Sequence, residues 1–176
     1  MNIRTASPVG LPLRAARKRQ ASNDASARTP TGCTNLKLRQ LTRRVSRLYD
    51  AQLAHCGLKT TQYSLLACVD SLGPLQPGEI ARHLSLDPST LTRNLQPLED
   101  AGWVRVDAGP DARSRLVVIT ASGREKRSQA RGHWKRAQLS LNRMLGEDRV
   151  AMLHELLDQL QTTLDATENT VSHTAS

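Results

Sequence analysis

The stretch Asp87-Pro88-Ser89-Thr90-Leu91-Thr92-Arg93-Asn94-Leu95-Gln96-Pro97-Leu98-Glu99-Asp100-Ala101-Gly102-Trp103-Val104 decides the fold. Asp87 is an N-cap residue, and Pro88 stands at the first helical position, where its missing N–H costs nothing. Leu91, Leu95 and Leu98 then recur at i, i+4 and i+7, one apolar face of a helix over Pro88–Ala101 that Gly102 ends. Just upstream, Glu79–Leu84 reads as a short helix and Ser85–Asp87 as a turn. Just downstream, the β-branched runs Trp103–Val106 and Leu116–Ile119 flank Asp107–Arg115, whose Gly109, Pro110 and Asp111 supply turn chemistry, so a hairpin is expected. Pro97 interrupts the pattern. It removes one intrahelical bond and crowds the Arg93 carbonyl, which predicts a kink.

Working outward, Leu38, Leu41, Val45 and Leu48 form one face of a helix over about 35–56 that starts at Thr34 or Asn35 and stops at Gly57. A second helix runs to about residue 71 through Tyr63, Leu66 and Val69, with Thr60 or Thr61 as its cap, until Gly73, Pro74 and Pro77 break the chain. Beyond the hairpin, a polar and basic helix covers about 122–145. After Gly146, a last helix carries Val150, Leu153, Leu157, Leu160 and Leu164, the 3-4-3-4 spacing of a helix-pairing seam. This seam and the matching stripe at Leu38–Leu48 lie far from the middle of the chain, which predicts a homodimer interface. The expected fold class is mainly α with a two-stranded β wing: a winged helix-turn-helix flanked by N- and C-terminal dimerisation helices. A DNA-binding lobe is expected at about 60–120 and dimerisation helices at about 35–56 and 122–165. Residues 1–34 are read as a disordered basic tail and 35–176 as the folded domain.

Composition narrows the function. The 176 residues carry a net charge of +9 and only 2% aromatic residues, with no Phe. The surplus charge attracts polyanions, while the scarcity of rings argues against modules that stack unpaired bases. The charge is uneven: +5 over residues 1–35, +6 over 123–143 and −5 over 144–176. The acidic last helix therefore suits a protein partner better than a polyanion. Three cysteines without CxxC spacing argue against a disulfide framework or zinc site and fit a reducing, cytoplasmic setting. No run of apolar residues is long enough to cross a membrane. No P-loop, GxSxG, GxGxxG or metal-spaced histidine pair is present, so neither enzymatic activity nor a cofactor is expected.

Helix, tight turn, helix and hairpin is the order in which a second helix enters the DNA major groove while the hairpin reaches an adjacent minor groove. With the three leucines buried, Ser89, Thr90, Thr92, Arg93 and Gln96 face solvent. Arg93 can donate bidentately to a guanine, the hydroxyls can serve base edges or phosphates, and the helix N-terminus favours phosphate oxygens. The partner class expected is double-stranded DNA. A winged helix used for protein or RNA contacts, without an operator, is the alternative.

The quoted stretch, continued by Asp111-Ala112-Arg113-Ser114-Arg115, Leu116 to Thr120 and Ala121-Ser122-Gly123, resembles the MarR-type family of bacterial transcriptional regulators over about residues 34–165. The resemblance implies that Arg113 is the wing-tip residue for the minor groove, that Asp111 holds it, that Arg115 belongs to the same DNA face, and that the first, fifth and sixth helices dimerise. It further implies a repressor released by a trigger. Cys33, just before the first helix, lies where the OhrR-like peroxide-responsive branch has its sensing cysteine, and Cys56 beside His55 is a second candidate thiol. Cys68, among Leu65, Leu66 and Val69, reads as core. The other trigger is a small aromatic or anionic effector, for which Tyr49, His55, Tyr63, His133 and Trp134 are candidate pocket residues.

Overall fold

The computed structural model describes residues 31–111 and 114–174. The chain divides into Met1–Cys33 and Thr34–Ser176. Nearly all of the first unit, including the expected tail, lies outside the described residues. In the second, α1 (Thr34–Leu53) passes through a 3-10 turn (Ala54–Cys56) to α2 (Thr60–Leu72), α3 (Pro77–His83) and α4 (Pro88–Asp100). Strands β1 (Val104–Ala108) and β2 (Arg115–Ile119) follow, then α5 (Ala121–Leu145) and α6 (Glu147–Thr174).

The two strands pair antiparallel with Val104 opposite Ile119 and Ala108 opposite Arg115. Leu75, between α2 and α3, adds an isolated bridge to Val117: each N–H donates to the other's carbonyl, at 3.3 and 2.8 Å. The wing is thereby anchored to the start of the helix-turn-helix. That contact has no local sequence signature, and the sequence reading missed it.

Caps explain most element ends, and two differ from expectation. α2 is capped by Lys59 rather than by a threonine: the Lys59 N–H donates to Gln62 Oε1 at 2.9 Å. Thr60 is drawn into the helix because its N–H and hydroxyl both donate to Asp50 Oδ1 of α1, at 2.7 and 2.6 Å. Likewise α1 begins at Thr34 rather than after it. α4 runs through Pro97 and ends only at Asp100. Arg93 and Pro97 are both exposed, so the carbonyl that the proline leaves unpaired lies on the side open to water.

Ser85, in the turn between α3 and α4, has φ 50°, a left-handed conformation that glycine adopts more cheaply. At the start of α5 a glycine is obligatory. A Cβ on Gly123 would stand 1.9 Å from the Trp103 carbonyl oxygen, while Thr120 Oγ1 accepts the Gly123 N–H at 3.0 Å as N-cap.

The main core gathers Leu53, Leu65, Leu66, Ile80, Leu98, Val104 and Val117, all but sealed from solvent, beneath the helix-turn-helix and wing. Cys68 belongs to it, as expected. A smaller cluster of Tyr49, Ala137 and Leu141 joins α1 to α5. In α6 Val150 is buried and Leu153 and Leu157 are half-buried, while Met152, Leu156, Leu160 and Leu164 are exposed. No helix among the described residues is long and apolar enough to cross a membrane.

Candidate nucleic-acid interface

α4 buries Leu91, Leu95 and Leu98 and presents Ser89, Thr92, Arg93 and Gln96 to solvent, with Thr90 partly covered. The five expected residues therefore lie on the outward surface of one helix. Their hydrogen bonds are local. Asp87 Oδ1 accepts from Ser89 Oγ at 2.6 Å and from the Thr90 N–H at 2.8 Å, while Oδ2 accepts from Thr90 Oγ1 at 2.6 Å. These bonds, led by the Ser89 and Thr90 hydroxyls, hold the Asp87 carboxyl far below the usual carboxylate range. Thr92 Oγ1 donates to the Pro88 carbonyl at 2.9 Å and Gln96 Nε2 to Asp100 Oδ1 at 2.8 Å. Among the described residues Arg93 makes two contacts, both long: 3.4 Å to the Ser89 carbonyl and 3.4 Å to Thr90 Oγ1. Its guanidinium is held loosely and can turn to an outside acceptor.

Asp87 places a carboxylate at the N-terminus of α4, where it accepts the Thr90 N–H. The Ser89 and Thr90 hydroxyls, donating to Asp87, keep their oxygen lone pairs for an outside donor.

On the wing, Gly109 N–H donates to the Ser114 carbonyl at 2.8 Å and Ser114 N–H to the Asp111 carbonyl at 2.9 Å, closing the hairpin. Arg115 is exposed beside the turn, opposite Ala108. Arg113 and Ala112 lie outside the described residues, and with them the expected support of Arg113 by Asp111. The sequence reading passed over Arg105, whose Nε donates to Asp107 Oδ1 and Oδ2 at 3.0 and 2.9 Å. Period-two alternation along β1 puts both side chains on one face, and this was the available signal. The pair is exposed, so it contributes little stability and leaves Arg105 free to exchange partners.

The five candidate effector residues separate into two groups. Tyr49, Tyr63 and Trp134 come together, with Trp134 6.4 Å from Tyr49 and 6.0 Å from Tyr63 between ring centroids. Tyr49 and Trp134 line an apolar, solvent-open cleft of about 380 Å³ between α1, α5 and α6, with Val45, Leu141, Leu153 and Leu157 in its wall. There the Tyr49 hydroxyl donates to Gln138 Oε1, and burial pushes its pKa up. Tyr63 instead lines a more open hollow of about 700 Å³ beside Cys68, Arg127 and Arg131. His55 and His133 stack on each other and line neither cavity.

Of the candidate thiols, Cys33 is exposed, whereas Cys56 is partly buried and its Sγ donates to the Leu53 carbonyl at 3.1 Å. Burial pushes the Cys68 thiol pKa up, in keeping with a core role. No group of three or more His, Cys, Asp or Glu suited to a metal ion occurs among the described residues.

Residues 58–113 match the model of the MarR family. The chain is 34% identical over 90 residues to the HTH-type transcriptional regulator YwoH of Bacillus subtilis, covering 51% of this chain and 66% of that protein. It is 32% identical over 118 residues to the multiple antibiotic resistance protein MarR of Salmonella typhimurium, covering 65% and 81% respectively. The crystal structure of the transcriptional regulator MosR of M. tuberculosis superposes with a TM-score of 0.64 at 30% identity, over 74% of this chain and 96% of that one. MosR in complex with DNA gives 0.61 over 72% and 97%. The chain belongs to the MarR family, and it is a transcriptional regulator of the winged helix-turn-helix class.

Proposed function

We propose that this protein is a cytoplasmic, non-enzymatic repressor. As a homodimer it binds a pseudo-palindromic operator in double-stranded DNA, and a small effector or thiol oxidation releases it. The observation that carries the reading is the two-sided character of α4: three buried leucines fix its depth against the core, and its outer surface holds a loosely tethered Arg93 among hydroxyl and amide side chains. An arginine of that kind suits the bidentate recognition of guanine. The wing adds Arg105 and Arg115, with Arg113 proposed at its tip and Asp111 as its support. The DNA complex of MosR favours this reading over a protein- or RNA-binding module.

The dimer rests on α6. Its uncovered stripe continues the wall of the apolar cavity, and its acids Glu155, Asp158 and Asp165 complement the cations Arg39, Arg43, Arg44 and Arg47 of α1. A second copy that brings α6 against α1 would cover apolar surface and pair opposite charges. For the trigger, Cys33 is the more accessible thiol, and Trp134 with Tyr49 offers a ring-lined site for an effector.

The test is a mobility shift on duplex DNA with reduced protein, repeated after peroxide, with the wild type and Cys33→Ser. Binding to a defined duplex that falls ~10³–10⁵-fold between about 50 and 200 mM salt is expected for ~6–10 phosphate contacts. Loss on oxidation in the wild type but not in Cys33→Ser assigns the trigger to that thiol. Indifference of both to peroxide leaves the effector route, and equal affinity for unrelated RNA would reject the operator reading.

A further inference from the structure

His55 and His133 form a group of rings that neither the α4 surface nor the apolar cavity uses. The 3-10 turn carrying His55 is the joint where α1 hands the chain, through Gly57 at φ 70°, to Leu58 and α2. Across that joint the His55 ring stacks on His133 of α5, with centroids 5.8 Å apart and planes inclined by 25°. Arg136, one turn along α5, donates from Nη2 to His133 Nδ1 at 2.7 Å. A guanidinium is always a donor, so Nδ1 carries no proton. The backbone of Gln52, in the last turn of α1, acts on the same ring and favours its proton, but is outweighed. The His133 imidazole thus meets the joint by stacking on His55 and α5 by its bond to Arg136.

The surroundings penalise a proton on that ring. Burial, then Arg136, then His55 push the His133 pKa below its ordinary 6.5. The groups acting on it are His55 from the joint, Arg136 from α5 itself and the Gln52 carbonyl from α1, and none is a carboxylate. Asp50, on the same stretch of α1, is bonded to Thr60.

We propose that His55, His133 and Arg136 form an acid-sensitive latch between α5 and the end of α1, at the turn that leads into the winged lobe. Protonating His133 turns the acceptor facing Arg136 into a second donor and sets a cation against both the guanidinium and the neighbouring histidine. The stack and the bond are lost together, and the joint loosens. Because the folded state holds the pKa down, the latch's contribution is complete above the ordinary histidine value and is lost as pH falls from there through the lower folded value. The latch itself does not depend on what the protein binds. Its consequence for DNA rests on the function proposed above, and it has an unusual sign: protonating histidines on a basic protein ordinarily strengthens polyanion binding, whereas opening the latch weakens it.

The decisive comparison is the urea midpoint of the full chain at about pH 7.5 and about pH 5.5 for the wild type and His133→Gln. The glutamine amide can still accept from Arg136, and it does not titrate. The wild type is expected to lose clearly more of its midpoint on acidification than His133→Gln, and an equal loss in the two would overturn the latch. Should His133→Gln fold poorly, NMR titration of the wild-type His133 ring decides. A midpoint below 6.5 that rises in Arg136→Gln supports the latch, and one at or above 6.5, or unmoved by Arg136→Gln, refutes it. In parallel, wild-type affinity for a duplex selected from random sequences should fall by a coupling of ordinary size, about five- to 150-fold, over the same pH interval. In His133→Gln it should not fall. A protein that binds no duplex at either pH would defeat the function proposed above, while the midpoints would still judge the latch.

Discussion

Leu160→Ala is expected to weaken the dimer without unfolding the chain. Leu160 keeps 47% of its surface uncovered within one chain, in line with Leu156 at 52% and Leu164 at 62% on the same helix. Fully burying a leucine is worth ~1.5–3 kcal/mol, so covering the remaining half is worth about 0.7–1.5 kcal/mol, and truncation to alanine forfeits most of it. Two-fold symmetry doubles the loss to about 1.5–3 kcal/mol per dimer. At about 1.4 kcal/mol per decade, the dissociation constant should rise roughly 10- to 100-fold. Alanine is at least as good a helix former as leucine, so α6 keeps its intrinsic tendency to form. Sedimentation equilibrium over a concentration series measures the constant, and circular dichroism checks the helix. A dissociation constant within about twofold of wild type at unchanged helicity would refute the assignment of the α6 stripe to the dimer interface.

Three further outcomes are expected. Arg93→Ala should cost ~1–3 kcal/mol at the cognate duplex and relax specificity at one base pair per half-site, whereas a uniform loss on all sequences would make Arg93 a phosphate contact. Arg113→Ala should weaken binding and reduce any preference for a narrow A·T-rich minor groove, and unchanged affinity in a competition assay would remove the wing tip from the interface. Ser85→Gly should stabilise the fold by about 0.5–1 kcal/mol in urea titration, because the left-handed conformation at φ 50° costs a serine ~1–2 kcal/mol and glycine's extra chain entropy returns part of the gain; a destabilised variant would contradict that account.

The helices and the wing were legible because their signals are local. Asp87-Pro88 marks a helix start, three leucines mark its buried face, and two β-branched runs around Gly109-Pro110-Asp111 mark a hairpin. The features missed depend on residues distant in sequence. Asp50 captures Thr60 and so displaces the cap of α2, and Leu75 pairs with Val117 to hold the wing. The network at the start of α4 was also only half legible: the same aspartate that announces the helix accepts from the Ser89 and Thr90 hydroxyls. Among the effector candidates, residue type picked out five rings but could not sort them. Helical phase and packing place Tyr49, Tyr63 and Trp134 together and His55 with His133 apart from them.

The most direct test of the account is selection of random duplex DNA by the purified, reduced protein. The account predicts one enriched pseudo-palindrome with half-sites about one helical turn apart, as two α4 helices of a symmetric dimer require. Retention of duplexes with no enriched sequence, or enrichment of a single unrepeated half-site, would contradict it.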